Sequence, residues 1–264
     1  QFRHYIARHY HMDLALVWAL RLEGKTDQEK FKELGWGLRT WDQWNFNECD
    51  ERFGDDWPGR IPAQLVAHTL FYFTKPGDLV LDPMAGGGVM SDVCLVFERK
   101  CFSFDLATRD NRPDILYHYW DPRNWKWPIT KQPDLIFFDP PYFDKKAGDY
   151  SEKSISSFPR EEYLKFFEDF FTLMKQHAKQ TTRLAFINAD WRDFQNKAAI
   201  DETPEDSILT DDYLNILSKT GWQRTHIIQV PLSSERFDAG IVSAMQKKKI
   251  LGVTSRYLII ARRS

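Results

Sequence analysis

Leu79-Val80-Leu81-Asp82-Pro83-Met84-Ala85-Gly86-Gly87-Gly88, with the residues that follow it to Asp105, decides the fold. Leu79 to Asp82 is apolar up to a terminal acid, as a short buried strand is. Three glycines then turn the chain. From Val89 to Glu98, Met90, Val93, Cys94 and Phe97 recur at helical spacing, and Arg99-Lys100 supplies charges that suit that helix's C-terminus. Cys101-Phe102-Ser103-Phe104-Asp105 is a second apolar run that also ends on an acid. Strand, glycine-rich turn, helix, strand is the unit of a doubly wound α/β sheet, which binds ligands at the carboxyl ends of its strands.

The chemistry of the loop narrows the ligand. It is not Gly-x-Gly-x-x-Gly, and no Gly-Lys-[Ser/Thr] follows, which disfavours both a dinucleotide and a Walker-type phosphate site. Asp82 sits where a pyrophosphate would approach and would repel it, but it would welcome an ammonium group. An adenosyl cofactor with an amino-acid tail and no phosphate therefore fits better than NAD. Asp105 is placed to accept hydrogen bonds from ribose hydroxyls. Singly, Asp82 reads equally well as a helix cap and Asp105 as a solvated strand end; together, 23 positions apart across the glycine turn, they favour a cofactor. Ile115 to Trp120 is a third, weaker segment, and Asp121 after it is either an acid near the adenine ring or an ordinary loop residue.

A second stretch supplies the other half of a site. Asp134-Leu135-Ile136-Phe137-Phe138 is a buried strand stopped by Asp139-Pro140-Pro141-Tyr142. The prolines lack N–H groups and fix φ, so the chain leaves the sheet extended and rigid. A carboxylate, carbonyls that no ladder claims and an aromatic face then lie at one strand end. A planar base with an exocyclic amino group needs those contacts.

Farther out, Leu14, Val17 and Leu20 give one short helical face, and a second helix starts at Asp27 with Thr26 as its N-cap. This pair reads as a packed helical hairpin or a helix-turn-helix; Gly24 to Trp36 loosely resembles the first part of such units in ParB-like DNA-binding proteins. Residues 36–60, with Trp36, Trp41, Trp44 and Trp57, read as an irregular connector. A helix then begins at Pro62. Residues 143–158 form a long polar loop carrying Lys145 and Lys146, and loops of that length are often functional. Later come a helix over 160–178, a strand at Arg183 to Asn188, a polar excursion from Asp190 to Thr210, and a helix closed by Gly221. Gln223 to Val230 and Arg256 to Ala261 read as a final antiparallel pair. Between them, Arg236, Lys247, Lys248 and Lys249 are either a solvated turn or a phosphate-contacting patch.

Composition excludes several classes. The 264 residues carry a net charge of −2, so any nucleic-acid binding must use local patches. Three cysteines without a C-x-x-C pair argue against a disulfide framework and suit a reducing cytoplasm. The seven histidines show no metal-ligand spacing, so no metal is expected. No run is apolar enough to span a membrane. The chain begins at Gln1 without an initiator Met, as an excised part of a longer protein would.

With both stretches placed, the sequence resembles the S-adenosylmethionine-dependent amino-methyltransferases that act on exocyclic nitrogens of bases in DNA. Asp139-Pro140-Pro141-Tyr142 matches that family's motif unaltered, and Asp82 to Gly88 matches its cofactor loop, often Asp-Pro-Phe-x-Gly-x-Gly. The resemblance spans roughly residues 57–262. It implies a Rossmann-like class I methyltransferase fold, a seven-stranded mostly parallel sheet with the last strand antiparallel. A catalytic domain over 57–264 would follow an N-terminal helical segment and connector over 1–56. It further implies S-adenosylmethionine held by Asp82, Pro83, Met84, Ala85, Gly86, Gly87 and Gly88, by Asp105 with Leu106, by Asp121, and by Ile61 and Pro62 at the helix enclosing the methionine tail. Asp139, Pro140, Pro141 and Tyr142 would be catalytic, acting on a flipped base, adenine ahead of cytosine. Lys145, Lys146, Arg236 and Lys247 to Lys249 would contact nucleic acid. A cytoplasmic, nucleoid-associated prokaryotic or phage-type enzyme is the expected setting. The chain lacks a large target-recognition domain, so recognition is expected from residues 143–158, from 233–250, from a missing N-terminal module, or from a partner subunit or second copy. An RNA substrate and a catalytically silent methyltransferase-like subunit are the alternatives.

Overall fold

The computed structural model describes residues 13–143, 154–192, 207–232 and 237–264. Its sheet is built from Leu79–Asp82 (β1), Lys100–Asp105 (β2), Ile115–Tyr117 (β3), Leu135–Phe138 (β4), Arg183–Ala189 (β5), Trp222–Gln229 (β6) and Arg256–Arg263 (β7). Their order is β3-β2-β1-β4-β5-β7-β6. β1 pairs in parallel with β2 and β4, β2 with β3, and β4 with β5. β7 runs antiparallel to both β5 and β6 and lies between them. This is the seven-stranded Rossmann-like arrangement expected from the sequence, with the last strand reversed.

The central strands read as unbroken apolar runs because both of their faces are buried. Val80, Phe137, Ala185, Ile187, Leu258 and Ile260 share one core with Val66, Leu70, Val93 and Phe97. Their alternate neighbours Leu81, Ile136, Phe138, Leu184, Phe186 and Ile259 share the other with Phe166, Phe170, Phe171, Met174 and Tyr213. The helices that supply these residues are Ala63–Phe73 (α3) and Val89–Val96 (α4) on the first side. Arg160–His177 (α5) and Thr210–Lys219 (α6) cover the second. Sheet order reverses between β1 and β4, and the crevice of such a sheet opens at that point.

Leu14–Leu22 (α1) and Asp27–Leu34 (α2) form a hairpin packed on α4. Thr26 caps α2 reciprocally with Glu29. The buried face of α1 is Ala15 and Leu22, with Trp18 and Ala19 half-buried; Leu20 faces solvent, contrary to the expected face. The reason lies in α2, whose Phe31 and Leu34 meet the same core. Asp27 accepts both terminal nitrogens of the buried Arg99 at 2.7 and 2.8 Å, and the fully buried Lys30 pairs with Glu98 at 2.9 Å. These contacts tie the hairpin to the rest of the fold.

The connector is irregular, as expected, but it enters the core through Trp36, Trp44, Phe46 and Phe53. The stretch before β7 holds a helix that the sequence reading missed, Ala239–Lys248 (α7), capped by Asp238 at the Ile241 N–H (2.8 Å). It buries none of its residues. No helix among the described residues is long and apolar enough to cross a membrane.

Candidate active site

A cavity of about 850 Å³ opens at the carboxyl ends of β1, β2 and β4. Asp82, Asp105 and Asp139, the acids that end or directly follow those strands, all line it. So do Pro83, Met84, Ala85, Gly86 and Gly87 of the loop, together with Leu106, Pro140, Pro141, Tyr142, Ile61 and Pro62.

Asp82 is 4% exposed, and its Oδ1 accepts the Met84 N–H at 3.1 Å. Burial pushes its carboxyl well above the usual carboxylate range, and the charges of Asp105 and Asp139 push it further. Among the described residues no cation pairs with it. Asp105 organises the loop: its Oδ2 accepts the Gly86 N–H at 2.8 Å and its Oδ1 the Ala107 N–H at 3.0 Å. An ionised carboxylate offers about four lone-pair sites, so acceptor capacity remains.

The loop carbonyls are claimed from outside. Arg109 donates to Gly86 O (2.8 Å), and Arg112 to Gly87 O (3.1 Å) and Gly88 O (3.2 Å). Trp120 Nε1 donates to Pro83 O at 2.9 Å. The glycines answer to this packing. A Cβ at Gly88 would lie 2.3 Å from Arg112, and at Gly87 2.9 Å from the Asp55 carbonyl. Gly88, at φ +82°, lies outside the cavity as the N-cap of α4.

At β4, Tyr142 donates its hydroxyl to Asp139 Oδ1 at 2.6 Å. Burial, with the Asp139 charge beside it, holds that hydroxyl well above the usual phenol range, so it is a proton donor at neutral pH. Tyr163, fully buried on α5, donates to Pro141 O at 3.1 Å and fixes the exit of the chain from the sheet.

Asp121 is not brought into the cavity. β3 ends at Tyr117, and Asp121 turns onto its own loop, accepting the Arg123 N–H at 3.0 Å. His118, Tyr119 and Trp120, just before it, do line the cavity. Lys247 and Lys248 are exposed in the last turn of α7, and Lys249 follows in a left-handed conformation. Ile241 of the same helix lines the cavity mouth. Lys145, Lys146 and Arg236 lie outside the described residues.

Among the lining residues that escaped the sequence reading, two sets stand out. One is the connector: Phe46, Asn47, Cys49 and Trp57 to Arg60 form one wall, and the Arg109 guanidinium lies 4.5 Å over the Trp57 ring. The only signal was the density of tryptophan. The other is Arg256, 8% exposed at the start of β7, which left no signal beyond a charge before an apolar run. Among the described residues, no group of three His, Cys, Asp or Glu side chains is placed to hold a metal ion.

No family model matches the sequence, and no curated protein does. Solved structures that align with it include a TehB-like SAM-dependent methyltransferase from Corynebacterium glutamicum, 11% identical over 76% of this chain and 86% of that one, with a TM-score of 0.43. Geranyl diphosphate C-methyltransferase from Streptomyces coelicolor aligns at 14% identity over 76% and 80% of the two chains, TM-score 0.47. Precorrin-6y C5,15-methyltransferase from Geobacter metallireducens aligns at 13% over 81% and 96%, TM-score 0.46. The fold assignment stands on the chain's own strand order.

Proposed function

We propose that this chain transfers a methyl group from S-adenosylmethionine to the exocyclic amino group of a base in DNA, adenine ahead of cytosine. The observation that carries the reading is that Asp82 and Asp139 open into one cavity from adjacent strand ends, with Tyr142 beside the second.

The residues fit the cofactor. Asp82 is a desolvated carboxylate without a cation partner among the described residues, which an amino-acid ammonium would supply. A pyrophosphate supplies no such cation. Asp105 would receive ribose hydroxyls. Leu106 and the segment His118 to Trp120 offer flat and apolar surface for a purine, and Ile61 and Pro62 line the same cavity. When bound, S-adenosylmethionine supplies an electrophilic methyl group on a sulfonium sulfur.

The chain's own residues handle the acceptor. A base in duplex DNA must leave the stack to reach the cavity, and Tyr142 gives it a ring to lie against. Asp139 and the Pro140 carbonyl accept the amino N–H bonds, which turns the nitrogen lone pair out of conjugation with the ring. The Pro141 carbonyl accepts the Tyr163 hydroxyl, and the carbonyl assigned to the amino group is that of Pro140. Asp139 also stabilises the positive charge that develops on nitrogen, so positioning and electrostatics supply the rate. Lys247 to Lys249, exposed at the end of the helix whose Ile241 lines the cavity, would hold phosphate.

The test is methyl transfer from labelled cofactor to duplex DNA, single-stranded DNA and bulk RNA, with nucleoside analysis of the product. Methylated adenine or cytosine in DNA is expected; label in RNA alone replaces DNA by RNA as the substrate. Asp139→Ala is expected to lower turnover by about a hundred- to a thousandfold, the typical worth of a charge-stabilising group aimed at the transition state, while cofactor binding survives. Near wild-type turnover in that variant sinks the assignment.

A further inference from the structure

Arg256 is a buried cation that the mechanism above does not use. It is the first residue of β7 and is held to the end of β6 from two sides: its carbonyl accepts the Val230 N–H at 2.9 Å, and its Nε donates to Val230 O at 3.2 Å. Its stem is thus fixed by the sheet. It lines the same cavity as Asp139 and Tyr142, and its guanidinium reaches the Tyr142 hydroxyl.

The consequence follows from what each group can do. A guanidinium only donates hydrogen bonds and keeps its charge at any accessible pH. A tyrosine hydroxyl can donate or accept, and its rotor chooses by its neighbours. Set against a donor-only cation, the phenol oxygen must accept on that side, so its one proton points elsewhere. That proton is donated to Asp139 Oδ1, at 2.6 Å. We propose that Arg256 is a positioning residue: it turns the Tyr142 proton onto Asp139 and thereby fixes the orientation of both the stacking ring and the carboxylate. The β7 strand would so be coupled to Asp139-Pro140-Pro141-Tyr142, which lies more than a hundred residues earlier.

The part of this that concerns turnover rests on the proposed amino-methylation; the part that concerns Tyr142 does not. Arg256→Gln is the informative variant. The amide keeps a donor for Val230 O but adds an acceptor, which gives the tyrosine proton a second destination. Arg256→Lys keeps a donor-only cation. Three measurements are made on each: a crystal structure, the cofactor dissociation constant, and kcat. In Arg256→Gln we expect Tyr142 to leave Asp139, kcat to fall ten- to a hundredfold, and the cofactor dissociation constant to stay within twofold. Arg256→Lys is expected to hold kcat within fivefold of wild type. In a Tyr142→Phe background, Arg256→Gln should change kcat less than threefold, because the hydroxyl that it orients is gone.

The proposal is overturned if Tyr142 stays on Asp139 in the Arg256→Gln structure, if the Lys variant loses as much as the Gln variant, or if the Gln substitution costs the same with and without the tyrosine hydroxyl. Should Arg256→Gln fail to fold, the Lys variant and its structure decide. Should the wild type transfer methyl groups to no nucleic acid, the proposed function fails, and the two variant structures alone judge the relay.

Discussion

Asp82→Asn tests the cofactor site at its most unusual group. The wild-type carboxyl is 4% exposed, pushed well above the ordinary carboxylate range, and without a cation partner among the described residues. An ammonium ligand favours the ionised form, so binding must drive the proton off. Below the raised pKa, affinity should therefore climb about tenfold per pH unit, and it should level off above it. Asn cannot ionise, so its affinity should be flat across that window. At the plateau the variant loses a hydrogen bond between charged groups, worth about 1.5–3 kcal/mol, or about ten- to 150-fold in the dissociation constant. Titration calorimetry in two buffers of different ionisation enthalpy counts the protons released. The reasoning is refuted if wild-type binding is independent of pH with no proton release, or if the Asn variant binds within threefold of wild type at the plateau. The ligand-free protein gives an independent check on sign. A raised folded-state pKa contributes stability that is present below the unfolded value and is lost as pH rises through the folded one. At alkaline pH, ligand-free Asp82→Asn should accordingly unfold at a higher temperature than wild type.

Asp105→Ala should weaken cofactor binding by about 1–3 kcal/mol, since the carboxylate also holds the Gly86 and Ala107 N–H groups that shape the loop; an unchanged dissociation constant removes it from the ribose role. His68 is buried, accepts the Arg39 N–H at 3.0 Å, and has its pKa pushed down to about 4 by desolvation. Its neutral form therefore contributes about 3 kcal/mol that is fully present above about pH 6.5 and is lost as pH falls toward 4. His68→Gln should flatten that limb of the stability profile measured by urea unfolding, and an unchanged acid limb would refute the assignment. Replacing Lys247, Lys248 and Lys249 together by Gln should weaken duplex binding across all sequences. It should also lower the slope of log affinity against log salt by about one for each phosphate no longer neutralised; an unchanged slope places those lysines off the nucleic acid.

The parts of this molecule that were legible in its sequence are those where a single physical constraint acts on consecutive residues. β1 and β4 are visible because burial on both faces forbids polar residues along them. Their ends are visible because glycine or proline stops each abruptly. α1 shows the limit of periodicity: Leu14, Val17 and Leu20 look like a face, but the core selects Ala15 and Leu22, because α2 already brings Phe31 and Leu34 to the same place. α7 has no buried residue, so there was no face to read, and its Asp238 cap is all that marks it. Asp121 misleads in the opposite way. It stands after an apolar run like the other strand-end acids, but β3 stops at Tyr117, and the intervening residues turn its carboxylate onto Arg123. Trp57 and Arg256 reach the cavity from an irregular segment and from a strand start, and neither context has a period from which a pattern can depart.

The charges around the cavity follow a division that bears on how a substrate would enter. Three acids, Asp82, Asp105 and Asp139, share the interior, and the carboxyl of the first is raised partly by the charges of the other two. Such an interior favours groups that are cationic or that donate hydrogen bonds, and it repels phosphate. Its buried cation, Arg256, is turned to Tyr142. The exposed cations Lys247 to Lys249 stand instead on α7, whose Ile241 lines the mouth. On the proposed reading, a polynucleotide would meet two opposite demands within one site. Its phosphates would be attracted to the rim and refused by the interior, while an amino group has donors to offer to the acids within. A nucleotide can satisfy both only by sending its base inward and keeping its backbone outside, which is the geometry of a flipped base. The strand-end acids that favour a sulfonium cofactor over a dinucleotide would thus also dictate how the acceptor is presented.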